Sequence, residues 1–129
     1  MNPFKSSHEP NYLCCRVEGT DQAKALVKEI VSAHRDHFPY FTPRGLEQIN
    51  RVVSVDFNLK IGNRVVTPIG HVNFRYHLDT GILVINVDKK HEPYEKGKPL
   101  QMLETIARYL LETERDIVAL EPNFGLKLH

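Results

Sequence analysis

The 129-residue sequence contains no tryptophan and only two cysteines, the neighbours Cys14 and Cys15. Adjacent residues on a strand point their side chains apart, so this pair makes a poor disulfide, and a reducing compartment is expected. The sequence also lacks an excess of charge of one sign, since its formal net charge is +1. A protein that binds nucleic acid by neutralising phosphates carries a clear surplus of lysine and arginine, so nucleic acid is not expected as a partner.

Long hydrophobic runs are missing as well. No stretch approaches the roughly 18 apolar residues of a membrane span, and the first residues do not form the basic start and apolar core of a signal peptide. These absences predict a cytoplasmic protein without a membrane contact. The sequence contains no glycine-rich phosphate loop, no nucleophile elbow and no zinc-ligand quartet. We therefore expect neither a cofactor nor a metal, and an enzyme is the less favoured interpretation.

One histidine pair has a spacing that a metal ion can use. His34 and His37 fall at the end of the first predicted helix, three residues apart, but they supply only two ligands. Histidine near a helix C-terminus is also favoured by the helix dipole. Capping of the helix is therefore the better interpretation of this pair.

The patterning predicts a flexible N-terminal arm over residues 1–10 and a single α+β domain over 11–129. The expected elements are a strand at 12–19, a helix from the Thr20 cap to 36, a short helix at 42–50, strands from 52 and from 64, a hairpin within 70–88, a helix at 99–114 and a short strand at 117–120. The order β-α-α-β-β-β-α predicts a two-layer sandwich in which an antiparallel β-meander carries its helices on one face.

The hairpin from Gly70 to Asp88 is the clearest pattern in the chain, because its residues alternate between apolar and polar. The turn at residues 79–81 suggests that Leu78 pairs with Leu83. A second feature predicted from sequence is an interruption at 67–70, where Pro68 cannot donate to a strand ladder.

The polar side of this hairpin carries the candidate site. The residues expected to bind a ligand or a partner there are Asp56, His71, Asn73, Arg75, His77, Val84 and Asn86. The plainer interpretation is a solvated sheet face, which simply needs polar residues. Ile82 and Val84 argue against full solvation, since they place aliphatic side chains among the polar ones and indicate cover by the N-terminal arm, by another subunit or by a ligand.

These residues favour a non-catalytic binding domain that holds a small molecule or a protein partner on its sheet surface, as a homo-oligomer, most simply a homodimer. An exposed first-strand edge that needs cover supports the same hypothesis. One alternative is a small hydrolase or lyase with His71 and His77 as catalytic candidates and Arg75 holding an anionic substrate. The other is an RNA or DNA contact through the loop from Lys89 to Lys98.

Overall fold

A computed structural model describes residues 11–38, 41–66, 72–87 and 98–128. Within these ranges the chain belongs to the α+β class, with seven strands and two α-helices. The elements are β1 (Tyr12–Arg16), α1 (Thr20–Ala33), β2 (Leu46–Asn50), β3 (Ser54–Ile61), β4 (Arg64–Val66), β5 (Val72–His77), β6 (Ile82–Val87), α2 (Lys98–Glu112) and β7 (Ile117–Glu121). The predicted first strand, hairpin, last helix and final short strand are all present.

The strands form one open sheet in the order β2-β3-β5-β6-β1-β7, and β4 also pairs with β3. Each of these pairings is antiparallel. The first strand, β1, lies between β6 and β7, so the expectation that it forms an exposed edge is wrong. The last strand of the chain returns to cover that edge with backbone hydrogen bonds.

One side of the sheet, called the first face here, packs against both helices. Its side chains include Leu13, Phe57, Phe74 and Ile85, and they share a single apolar cluster with the buried residues of α1 and α2. This arrangement arises because every second residue of a strand points to the same side of the sheet. In the helices, apolar residues that are three and four positions apart lie on one side. Burial of each large aliphatic side chain contributes about 1.5–3 kcal/mol, so this core is the main source of stability.

The junction between β1 and α1 is fixed by a tyrosine from the middle of the sheet. The Tyr76 hydroxyl donates to the Val17 carbonyl at 2.8 Å and accepts from the Gly19 N–H at 2.9 Å. Gly19 occupies the N-cap position with a φ of 91°, a conformation that glycine adopts without strain, so Thr20 is not the cap. The helix ends at Ala33, earlier than expected.

The short helix expected over 42–50 is wrong, because a 3₁₀ turn at Pro43–Gly45 leads directly into β2. All five residues of β2 pair with β3, from Leu46 opposite Leu59 to Asn50 opposite Val55. A Cβ atom at Gly45 would lie 2.9 Å from the Leu59 side chain and from the Lys60 carbonyl oxygen. Glycine therefore permits the close approach of the turn to β3, and pairing across the sheet overrides local helix preference.

The register of the hairpin also differs from the prediction. His77 pairs with Ile82, so Leu78 lies in the turn and is exposed instead of pairing with Leu83. The difference is two residues, and an even shift leaves every side chain on the face that was expected. The predicted interruption at 67–70 lies outside the described residues.

Candidate functional site

The side of the sheet away from the helices, called the second face here, is where the register places the candidate residues. Asp56 pairs with Arg75, which pairs with Val84, so these three form a row across β3, β5 and β6. Residues that are paired across strands share a face. The same register puts Asn73, His77 and Asn86 on this face, whereas His71 lies outside the described residues.

Asp56 is a buried charge on the second face. Its carboxylate accepts from Arg51 Nε at 2.6 Å and from Arg75 Nε at 2.5 Å, and Arg75 Nη2 adds a third hydrogen bond at 3.2 Å. The Asp56 side chain is only 10% exposed, whereas the two arginines are about half exposed, at 56% and 51%. The carboxylate therefore ties the β2–β3 turn to β5.

Two opposing effects act on the ionisation of this carboxyl. Burial raises the pKa of Asp56, but hydrogen bonds from Arg75 and Arg51, and the positive charges of both side chains, outweigh it. The net result is a pKa below the ordinary value of an aspartate. Asp56 is therefore a charged, structural member of the second face.

Sequence reasoning did not identify Arg51. The residue lies in the turn between β2 and β3, where its N–H donates to the Ser54 carbonyl at 2.8 Å. Because a helix was predicted over 42–50, no turn between two strands was expected at Arg51. Leu46 and Ile49 are three residues apart with two polar residues between them, a spacing that is typical of a helix and does not indicate a strand.

Three asparagines lie side by side on the second face, and we call them the amide row. Asn73 pairs with Asn86, and the β3–β5 register, continued by one position beyond Phe57, places Asn58 beside Asn73. Glu47 pairs with Asn58 at one end of the row, and Tyr12 pairs with Asn86 at the other. The three amides therefore cross three adjacent strands.

Tyr12 extends the amide row towards a carboxylate on the last strand. It pairs with Glu121, and its hydroxyl donates to Glu121 Oε2 at 3.3 Å. Burial raises the pKa of Tyr12, and the Glu121 charge and hydrogen bond act in the same direction. The tyrosine is therefore a neutral hydrogen-bonding group at this end of the row.

Asn58 is the unusual member of the amide row. It is 3% exposed, and its side-chain amide makes no hydrogen bond to any other described residue. The side chains of Asn73 and Asn86, which are partly exposed, also have no partner within the described ranges. The row thus presents hydrogen-bonding capacity that this part of the chain does not use.

Of the two histidines predicted as catalytic candidates, the structure describes only His77, because His71 lies outside the described residues. His77 pairs with Ser54 on one side and Ile82 on the other, and its ring makes no hydrogen bond to a described residue. His34 instead lies at the end of α1, where its Nδ1 donates to the Ile30 carbonyl at 2.6 Å and its ring packs edge-on against Tyr109 at 5.1 Å. The capping interpretation of His34 is confirmed.

No metal cluster of three or more His, Cys, Asp or Glu side chains occurs among the residues that the structure describes. Both cysteines are free and buried, with Cys14 on the second face and Cys15 on the first. Burial raises the pKa of Cys14 to about 12 and that of Cys15 to about 11, so neither thiol is ionised at neutral pH. The basic loop lies outside the described ranges, apart from Lys98 at the start of α2.

Neither α1 nor α2 is long and apolar enough to cross a membrane. Comparisons with protein-family models, with curated proteins and with solved structures found no match to this chain. A functional proposal therefore depends on the chemistry of the second face.

Proposed function

We propose that this chain is a non-catalytic binding domain that holds a small polar molecule against the amide row on the second face of its sheet. The observation that carries the proposal is the buried Asn58 side chain, which has no hydrogen-bond partner among the described residues. Asn73 and Asn86 continue the row towards a more exposed part of the face. A ligand would reach Asn58 by way of these two side chains.

The buried amide group of Asn58 is energetically costly without a hydrogen-bond partner. A buried polar group without a partner costs about 1–3 kcal/mol, and folded proteins retain few such groups. Each amide offers an oxygen that accepts and a nitrogen that donates. The complementary ligand class is a small molecule with adjacent donors and acceptors, such as an amide, a urea or a heterocyclic base.

The cluster of Arg51, Asp56 and Arg75 supports this function by holding the strands around the row in place. Asp56 lies two residues before Asn58 on β3, and Arg75 lies two residues after Asn73 on β5. Charge-assisted hydrogen bonds are stronger than neutral ones, and they fix the separation of the two strands at this point. A binding surface benefits from such fixed geometry because less order has to be created when the ligand binds.

We also propose a homo-oligomer whose contact uses apolar side chains that are exposed at two turns. Val84 is 9% exposed and is therefore packed within its own chain. The exposed large apolar side chains at the turns next to Arg51 and His77 are Val52 at 95%, Val53 at 57% and Leu78 at 47%, and the Leu78 N–H donates to the Val53 carbonyl at 3.0 Å. Self-association through these turns would cover them.

Native mass spectrometry of freshly purified, untagged protein tests the binding function. We expect the parent to retain a small-molecule adduct, and Asn58→Leu, which keeps the side-chain size but removes the amide, to lose it. Asn50→Leu is the matched control, because Asn50 is exposed and its side chain bonds only to Gln48, at 2.8 Å, among the described residues.

An adduct that survives Asn58→Leu, or a parent that gives only the bare chain mass after gentle purification, would contradict the proposal. The same spectra report the assembly state, where a parent dimer is expected.

A further inference from the structure

A carboxylate on β2 lies next to the buried end of the amide row. Glu47 pairs with Asn58, and directly paired residues of antiparallel strands have their Cβ atoms about 5 Å apart. Glu47 is half-buried, and its carboxylate forms no hydrogen bond or ion pair with any described residue. A negative charge and a buried amide, both without a partner in the described part of the chain, therefore lie side by side.

The cations of the second face do not neutralise Glu47. Arg51 and Arg75 both bind Asp56. Lys60, which lies on the same face of β3, is exposed and forms no ion pair with Glu47. A carboxylate that has lost part of its hydration without gaining a cation is unfavourable, and a bound positive charge would offset that cost.

We propose that the ligand of the amide row carries a planar cation of the guanidinium type, which binds between Glu47 and Asn58; this rests on the proposed function and names the class of its ligand. Such a cation donates two parallel hydrogen bonds to a carboxylate, and a remaining N–H is available for the Asn58 amide oxygen. An ammonium group suits the site less well, because it is more strongly hydrated and Asn58 is only 3% exposed.

The position of Glu47 at the border of the sheet gives the ligand access to this site. Its strand, β2, is an outer strand and pairs only with β3 among the described strands. Neighbouring strands are about 4.8 Å apart, so a ligand whose cation lies at Glu47 reaches Asn73 within about 10 Å. The uncharged part of the ligand would then lie along Asn58 and Asn73 and bind their amides.

Isothermal titration calorimetry of the full chain tests this inference with two probes of the same length. One is γ-guanidinobutyramide, which carries the planar cation, and the other is γ-ureidobutyramide, in which a neutral group of similar shape replaces it. We expect the parent to bind the guanidine probe at least about tenfold more tightly, because hydrogen bonds between charged groups are stronger than neutral ones. Glu47→Gln should remove this preference. Glu112→Gln is the matched control, because it removes an exposed carboxylate of α2, and it should keep the preference.

The same titrations separate a failure of the ligand class from a failure of the proposed function. Equal binding of the two probes by the parent, or no detectable binding of the guanidine probe, would overturn the ligand class, whereas the adduct expected in native mass spectra would be unaffected. A preference for the guanidine probe that survives Glu47→Gln would overturn it as well. Binding of both probes that is unchanged in Asn58→Leu would contradict the ligand class and the proposed function together, because neither probe would then use the amide row.

Discussion

The two faces of this sheet differ in what covers them, although the same strands build both. Cys14 and Cys15 are neighbours in β1, and both are buried. Cys15 belongs to a large cluster that contains both helices, whereas Cys14 belongs to a small patch made only of strand residues. The alternation of a strand therefore specifies the side of a residue, but it does not specify the kind of environment on that side.

The largest expected effect contrasts two isoleucines on β6. Ile85 is fully buried on the first face, and Ile82 is 1% exposed on the second. We expect Ile85→Ala to lower the free energy of unfolding by about 3–5 kcal/mol, as large-to-small changes in a rigid core do. Ile82→Ala should cost roughly half as much, because Ile82 belongs to a small cluster of strand residues, whereas Ile85 belongs to the large cluster that includes both helices.

Urea unfolding of both variants measures this contrast. The midpoint should shift while the dependence of stability on urea stays constant, so that the two losses can be compared directly. Equal losses would mean that the small cluster of the second face is packed as tightly as the large cluster beneath the helices. The two faces would then not differ in how tightly they are packed.

An intermediate effect is expected at Asp56, the charged centre of the second face. Replacement by asparagine should lower stability at neutral pH by about 2 kcal/mol, since the carboxylate accepts three hydrogen bonds from two arginines. Asp116→Asn is the control, because Asp116 forms an exposed pair with Arg16 at 3.3 Å and should change stability very little.

The lowered pKa of Asp56 determines how the stability effect of Asp56→Asn changes with pH. The pKa of Asp56 is lowered in the folded state, so its contribution is fully present above the unfolded value of about 3.9. It is lost as the pH falls through the folded pKa. The stability difference between the parent and Asp56→Asn should therefore shrink on acidification from pH 7, as measured by urea unfolding, and a difference that grows would contradict the assignment.

Short-range patterns were enough to place most candidate residues on one face. Asn73, Arg75 and His77 alternate with apolar neighbours, and an error of two residues in the register did not move any of them to the other side. The second arginine that binds Asp56 was not predictable at the same level. Asp56 also binds Arg51, and that contact depends on a strand that forms only by pairing with β3.

The second face shows a further limit of sequence patterning. Ile82 and Val84 indicated that part of this face is not solvated, and both are buried, but a pattern of apolar residues does not identify what covers them. The amide row was also not predicted from the sequence. Its three asparagines come from three strands, and only the register brings them together.

The smallest expected effect concerns a polar contact between the helices that cover the first face. Tyr109 of α2 donates to Glu29 Oε2 of α1 at 2.8 Å, and Arg115 donates to Glu29 Oε1 at 2.9 Å. Glu29 and Arg115 are each about 40% exposed, at 38% and 40%, so solvent weakens this link. We expect Tyr109→Phe to cost about 0.5 kcal/mol in urea unfolding, near the lower limit for a hydrogen bond. A loss as large as that of Ile85→Ala would show that the helix layer depends on this contact and that apolar packing alone does not hold it to the first face.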